Sequence, residues 1–144
     1  MRAVSLPLLY KQGVRFSIAA GKHYLKAELL DRETAEETRE FLGALATAAL
    51  KHGSTRVLIC VHSSRPIFRI EQYQASEYLK ELAARPQFRV ALVSHRADVR
   101  AAHQYVEVLA RQQGANLRSF EDESEAARWL RAELATPARA PQPG

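Results

Sequence analysis

Cysteine, long apolar runs and clustered glycines are all scarce in this chain of 144 residues. Its one cysteine, Cys60, cannot form a disulfide within the chain, which favours a reducing compartment or a fold that needs no disulfides. No stretch approaches the roughly 18 apolar residues of a membrane span, and the first ten residues lack the apolar core of a signal peptide. The sequence therefore predicts a soluble protein without a transmembrane segment, located in the cytoplasm.

Positive charge is in excess but is not concentrated at one place. The formal net charge is +5, and the basic residues are spread along the whole chain. A nucleic-acid-binding surface usually shows a basic cluster or stripe with aromatic residues between the charges. The sequence therefore predicts a solvated basic surface and no nucleic-acid partner.

The overall composition is that of a globular domain. Hydrophobic residues make up 47% and charged residues 26%, and the chain length fits one domain. We expect an N-terminal extension over residues 1–13, one domain over 14–135, and a disordered tail over 136–144. The tail has too many prolines and too little apolar surface to fold.

Hydrophobic periodicity predicts the order of the elements. Two alternating runs, 14–20 and 23–29, flank Gly21 and predict a hairpin. Thr34 and Glu37 have the spacing of a capping box, and the helix behind them ends at Gly53. The unbroken apolar run 57–61 predicts a central parallel strand.

The same alternation continues to the end of the domain. Further helices are predicted over about 70–84, over 97–113 and after Asp122, with strands over 88–93 and 116–120. The order ββαβαβαβα predicts an α/β fold with a mainly parallel sheet of about five strands, an opening β-hairpin and four helices.

The element order and the end of the domain resemble the SpoIIAA-like group of the STAS domains, the anti-sigma-factor-antagonist fold. The resemblance covers about residues 14–134. Its most specific part is the strand Leu117-Arg118-Ser119-Phe120 followed by Glu125-Ala126-Ala127-Arg128-Trp129-Leu130. This resemblance implies a regulatory or ligand-sensing module rather than an enzyme.

Classical members of that family carry a phosphorylated serine or threonine in an Asp-Ser type motif after the central strand. This chain departs from the motif, because it reads His62-Ser63-Ser64-Arg65 after Val61, with no aspartate before a serine. Ser63 and Ser64 are the candidate phosphorylation positions that the resemblance suggests.

Polar residues follow two neighbouring strands of the predicted sheet. The candidate ligand-binding residues are His62, Ser63, Ser64, Arg65, Ser94, His95 and Arg96. Ligands of open parallel sheets bind beyond the carboxyl ends of the strands, and helix N-termini there favour anions. The alternative interpretation is that the serines cap turns and the arginines are solvated.

A group of apolar residues lies just beyond the first of these loops. Ile67, Phe68, Ile70 and Tyr73 follow Pro66 at the predicted start of a helix. They either pack into the core or form an apolar lip over the strand ends, as a docking patch or the mouth of an apolar pocket.

An enzymatic alternative uses Ser63 or Ser64 as a nucleophile, His95 as the base and Asp98 as its orienting partner. The chain has no Gly-x-Ser-x-Gly elbow and no glycine-rich segment for an oxyanion hole. The five histidines and Cys60 lack the spacing of metal ligands, so neither a metal nor another cofactor is predicted. The predicted partner is a protein or a small-molecule ligand, and a homodimer is left open.

Overall fold

One sheet forms the centre of the protein. The computed structural model describes residues 4–5, 9–11, 14–32, 34–64 and 77–135, and within them seven strands join this sheet. The strands are β1 (Val4–Ser5), β2 (Leu9–Lys11), β3 (Val14–Ala20), β4 (Leu25–Leu30), β5 (Arg56–His62), β6 (Arg89–Val93) and β7 (Leu117–Phe120). The order across the sheet is β1-β3-β4-β5-β6-β7, with β2 also paired to β3.

The long strands have the predicted directions. β3 and β4 form an antiparallel hairpin, and β4, β5, β6 and β7 run parallel to one another. Three of the connecting helices are α1 (Ala35–His52), α3 (Ala97–Gln113) and α4 (Glu123–Ala135). The fourth, α2, is described over residues 77–83. The predicted α/β fold, with an opening hairpin, a mainly parallel sheet and four helices, is therefore confirmed.

The sheet is wider than the predicted five strands because the N-terminal extension contributes to it. β1 and β2 both pair antiparallel with β3, with Val4 opposite Ala20 and Leu9 opposite Phe16. In the predicted order β3 is an edge strand, whose unpaired N–H and C=O groups are a template for a further strand. By pairing with β3, the strands β1 and β2 supply hydrogen-bond partners for part of this edge. The predicted tail 136–144 lies outside the described residues.

The ends of α1 follow directly from the sequence. Thr34 Oγ1 accepts a hydrogen bond from the Glu37 N–H at 3.2 Å, and Glu37 Oε1 accepts one from the Thr34 N–H at 3.3 Å. This is the predicted capping box. The helix ends at Gly53, whose φ of 62° is the left-handed conformation that glycine adopts without a steric cost.

The two faces of the sheet carry separate apolar cores. On one face α1 packs on β3, β4 and β5, and Phe41 meets Phe16 edge-to-face with ring centroids 5.4 Å apart. On the other face Ala126 and Leu130 of α4 pack against Leu58. Since β5 is covered on both faces, each of its residues 57–61 is buried, as its unbroken apolar run predicted.

Among the strands of the described residues, β7 is the last on its side of the sheet. The carbonyl of Phe120 accepts a hydrogen bond from the Ser94 N–H, so the parallel ladder leaves the Ser119 N–H pointing away from β6. That N–H donates to Glu107 Oε1 at 3.2 Å, and the Ser119 hydroxyl donates to the same oxygen at 2.6 Å. Glu107 of α3 thus covers the outer side of β7.

Among the helices of the described residues, none has the length and the apolar character needed to cross a membrane.

Candidate functional site

Buried polar side chains collect at the carboxyl edge of the parallel strands. Within the described residues they are Arg32, Thr38, Ser64, Ser94 and His103. Arg32, Ser64 and Ser94 come just after β4, β5 and β6, respectively. Thr38 lies near the start of α1, and His103 lies in the second turn of α3. Buried polar groups need hydrogen-bond partners, so each of these positions has to be explained by a contact or by a function.

Arg32 is at the centre of this group. Its side chain is 5% exposed, and its Nη1 donates to Thr38 Oγ1 at 3.0 Å. Its backbone N–H donates to Ser64 Oγ at 3.1 Å, and the Ser64 hydroxyl in turn donates to the carbonyl of His62 at 2.9 Å. These bonds join the loops after β4 and β5 around a buried guanidinium.

His103 adds a second basic side chain to the group. It is 8% exposed, and its Nδ1 has no hydrogen-bond partner among the described residues. Burial lowers the pKa of His103 to about 4, and the nearby positive charge of Arg32 contributes to this. The imidazole is therefore neutral at physiological pH. We call Arg32, Thr38, Ser64 and His103 the carboxyl-edge cluster.

The backbone is strained where the two strands end. Asp31, just after β4, has a φ of 56°, and Ser63, just after β5, has a φ of 48°. The left-handed region is uncommon for residues other than glycine, and such strain concentrates at functional sites. The Asp31 N–H donates to the carbonyl of His62 at 3.2 Å, so the two turns hold each other in place.

The structure separates the predicted residues of the first loop. Ser64 is 1% exposed and belongs to the carboxyl-edge cluster, whereas Ser63 is exposed. His62 points to the α4 face of the sheet, where its Nε2 lies 4.0 Å from Glu28 Oε2. Arg65 lies outside the described residues, as do the four residues of the predicted apolar lip: Ile67, Phe68, Ile70 and Tyr73.

The predicted residues of the second loop are engaged with one another. Ser94 is buried, and its Oγ accepts a hydrogen bond from the Arg96 N–H at 3.2 Å. The Arg96 guanidinium binds Asp98 in a bidentate manner, with N···O distances of 3.1 and 2.6 Å. Asp98 Oδ1 also accepts from the Val99 N–H at 2.7 Å. His95 is exposed beside them.

This arrangement changes what the second loop can bind. The hydrogen bond from Arg96 is the main reason why the pKa of Asp98 is lowered, with the Val99 N–H contributing. The start of α3 and the Arg96 side chain thus already hold a carboxylate that belongs to the protein itself.

Sequence reasoning missed Arg32, Thr38 and His103 as site residues. A signal was available for His103, because it lies between Val99 and Val106 on the apolar stripe of α3, where an imidazole is out of place. No comparable signal marks Arg32, since a charged residue after a strand is ordinary in a loop.

Within the part of the chain that the structure describes, neither Cys60 nor a cluster of metal-binding side chains adds a candidate site. Cys60 is buried, its Sγ lies 3.8 Å from Glu123 Oε1, and burial raises the pKa of the thiol to about 12. The thiolate, which is the nucleophile and the metal ligand, is therefore not populated at neutral pH. Within the described residues, no three histidine, cysteine, aspartate or glutamate side chains are placed to hold a metal ion.

No family model, no curated protein and no solved structure matches this chain.

Proposed function

We propose that this protein is a non-enzymatic binding module of the STAS or SpoIIAA-like kind, acting in the cytoplasm. It takes an anionic group at the carboxyl-edge cluster. The group belongs to a small ligand or to an acidic side chain of a protein partner. The element order ββαβαβαβα supports the family assignment, and the position of the cluster at the carboxyl ends of the strands supports the binding role.

The observation that carries the proposal is the pairing of two buried basic side chains. The buried Arg32 guanidinium lies near enough to His103 to lower its pKa, and His103 Nδ1 has no hydrogen-bond partner among the described residues. An anionic oxygen between them would accept hydrogen bonds from both and offset the repulsion that depresses the imidazole pKa. Electrostatic interactions are strengthened in such a buried setting.

The hydrolase alternative has less support. Ser64 Oγ accepts from the Arg32 N–H and donates to the His62 carbonyl, so this hydroxyl is committed to backbone groups. Asp98 binds Arg96 and not His95, the base that it was expected to orient. We therefore expect a fluorophosphonate label to leave both Ser63 and Ser64 unmodified. Labelling of either serine in the folded protein would restore the enzymatic interpretation.

Binding at the cluster is tested by following His103 in an NMR titration with inorganic phosphate and, separately, with acetate. A bound anion stabilises the imidazolium, so the pKa of His103 rises on saturation. The amide signals of Arg32 and Ser64 shift with the same affinity. Sodium chloride at matched ionic strength serves as the control for screening.

Two variants make this test specific. His103→Gln removes the proton uptake that accompanies binding, and Arg32→Lys keeps the charge but loses the planar guanidinium. His95→Gln, at an exposed position, is the matched control and leaves binding unchanged. If saturating anion shifts neither the His103 ring nor these amides, the proposed site is wrong.

The family resemblance suggests phosphorylation of a serine in the loop after β5, and the two candidate serines differ in exposure. Ser63 is exposed, whereas Ser64 is 1% exposed and its hydroxyl is hydrogen-bonded. We propose Ser63 as the accessible position if a partner kinase acts on this loop. Mass spectrometry of the protein isolated from its own cells would find the phosphate on Ser63, and phosphate on Ser64 would contradict this choice.

A further inference from the structure

Arginines from neighbouring strands meet on the α4 face of the sheet, near the amino ends of the parallel strands. Arg56 and Arg89 start β5 and β6 and lie opposite each other in the register. Arg118, the second residue of β7, pairs with Ala91 on the same face. Adjacent strands lie about 4.8 Å apart, so the sheet brings together side chains that are far apart in the sequence.

Two aromatic rings lie among these arginines. The Trp129 ring of α4 lies 5.8 Å from the Phe120 ring, centroid to centroid. The Arg89 and Arg118 guanidinium carbons lie 5.4 and 5.6 Å from the Trp129 centroid, and that of Arg118 lies 5.5 Å from Phe120. Each contact is within the range of a cation–π interaction. We call Arg89, Arg118, Phe120 and Trp129 the arginine–tryptophan surface.

Arg118 is the side chain most available to a partner. It is exposed, and among the described residues no carboxylate forms an ion pair with it. The rings beneath hold the guanidinium in place without neutralising it, so its charge and its in-plane N–H donors remain for binding. A positioned arginine loses less side-chain entropy when it binds than a mobile one.

We infer that the arginine–tryptophan surface binds single-stranded nucleic acid. The exposed Arg118 supplies a contact to a phosphate, and its guanidinium plane, held over the half-buried rings of Phe120 and Trp129, is a surface on which an unpaired base stacks. A duplex does not offer its base faces, and an acidic peptide has charge but no bases to stack. The combination of both chemistries therefore favours a single strand over either.

The sequence alone predicted no nucleic-acid partner because its basic residues are spread along the chain. In the folded protein, however, arginines from two neighbouring strands, Arg89 of β6 and Arg118 of β7, lie beside the one tryptophan of the protein. The surface lies on the α4 face of the sheet, whereas Thr38 and His103 of the carboxyl-edge cluster belong to α1 and α3. The two proposals can therefore fail independently.

The single tryptophan gives the experiment a local signal. The probe is a fluorescein-labelled oligothymidylate of about 12 nucleotides, a length that suits a small single-strand site. We expect its anisotropy to rise with protein concentration, and the emission of Trp129 from the unlabelled complex to change with the same affinity. Anisotropy that rises without any change in Trp129 emission would place binding elsewhere and overturn the inference.

Variants of Arg118 separate stacking from charge. Arg118→Lys keeps the charge and loses the plane, so we expect affinity to fall severalfold while the salt dependence is unchanged. Arg118→Ala removes both, and the slope of log K against log salt concentration becomes less steep by about 0.7. The matched controls are Arg39→Lys and Arg39→Ala, at an exposed arginine of α1 on the other face, and both leave binding unchanged.

Competition experiments distinguish a single strand from the other classes of partner. We expect a duplex of the same length and sequence to bind more weakly than the single strand. We expect polyglutamate at equal charge concentration not to displace the labelled oligonucleotide. Equal binding of the duplex, displacement by polyglutamate, or no binding of the oligonucleotide to the folded protein would each overturn the inference. Far-UV circular dichroism checks that every variant is folded.

Discussion

Acid should destabilise this protein through His103. The imidazole is buried and neutral in the folded state, where burial and the charge of Arg32 lower its pKa to about 4. In the unfolded chain the same side chain titrates near its ordinary value of about 6.5. Between these two values the unfolded state binds more protons than the folded state, so the free energy of unfolding falls as the pH is lowered.

The size of the effect follows from the two pKa values. The contribution of His103 is complete above pH ~6.5 and is lost as the pH falls through about 4. One pKa unit corresponds to 1.36 kcal/mol, so a displacement from about 6.5 to about 4 corresponds to a loss of about 3 kcal/mol. That is a large part of the 5–15 kcal/mol by which a typical domain is stable, roughly speaking.

Urea denaturation at several pH values between 7 and 4 measures this loss. Because carboxylates also titrate at the acid end of this range, the quantity to compare is the difference between the wild type and His103→Gln. We expect the variant to lose about 3 kcal/mol less on acidification, and His95→Gln to behave like the wild type. If His103→Gln has the same pH dependence as the wild type, or if NMR finds His103 titrating near 6.5, the reasoning is refuted.

Three further predictions concern stability and reactivity. Thr34→Ala removes the capping box of α1 and should lower the free energy of unfolding by about 1 kcal/mol, whereas Thr47→Ala in the same helix has little effect; equal losses in urea denaturation would contradict a capping role. Ser63→Gly relieves the left-handed backbone at φ 48° and should raise stability by up to about 1 kcal/mol, and a decrease would show that the serine side chain stabilises the turn. Cys60 should react with Ellman's reagent only after unfolding, because it is buried and its pKa is about 12; rapid reaction of the folded protein would refute this.

The predictable parts of the fold are those fixed by residues close together in the sequence. The Thr34–Glu37 capping box lies within one turn of helix, and the 57–61 run needs only its own composition to indicate burial on both faces. The added strands β1 and β2 were not predicted, because two or three residues carry no readable periodicity. Their place depends on the free edge of β3, which is a property of the sheet.

The candidate site could be predicted only in its location. The carboxyl edge followed from the βα order, and Ser64 lies at that edge, just after β5. Its contact with Arg32 and the proximity of His103 depend on how α1 and α3 pack, which no local pattern encodes. Arg96 was expected to face a ligand, but Asp98, two residues away, already binds it.

The contact between Glu107 and Ser119 has a consequence for the behaviour of the protein at high concentration. A sheet grows between molecules when the last strand of one offers free backbone donors to a strand of another. Here the outward N–H of Ser119 is already bound to a carboxylate of the same chain, and the serine hydroxyl shares that oxygen. An incoming strand at β7 would have to displace a charged side chain before it gained its first hydrogen bond. The molecule therefore resists fibril-like association at this edge without a proline or a bulge in the strand.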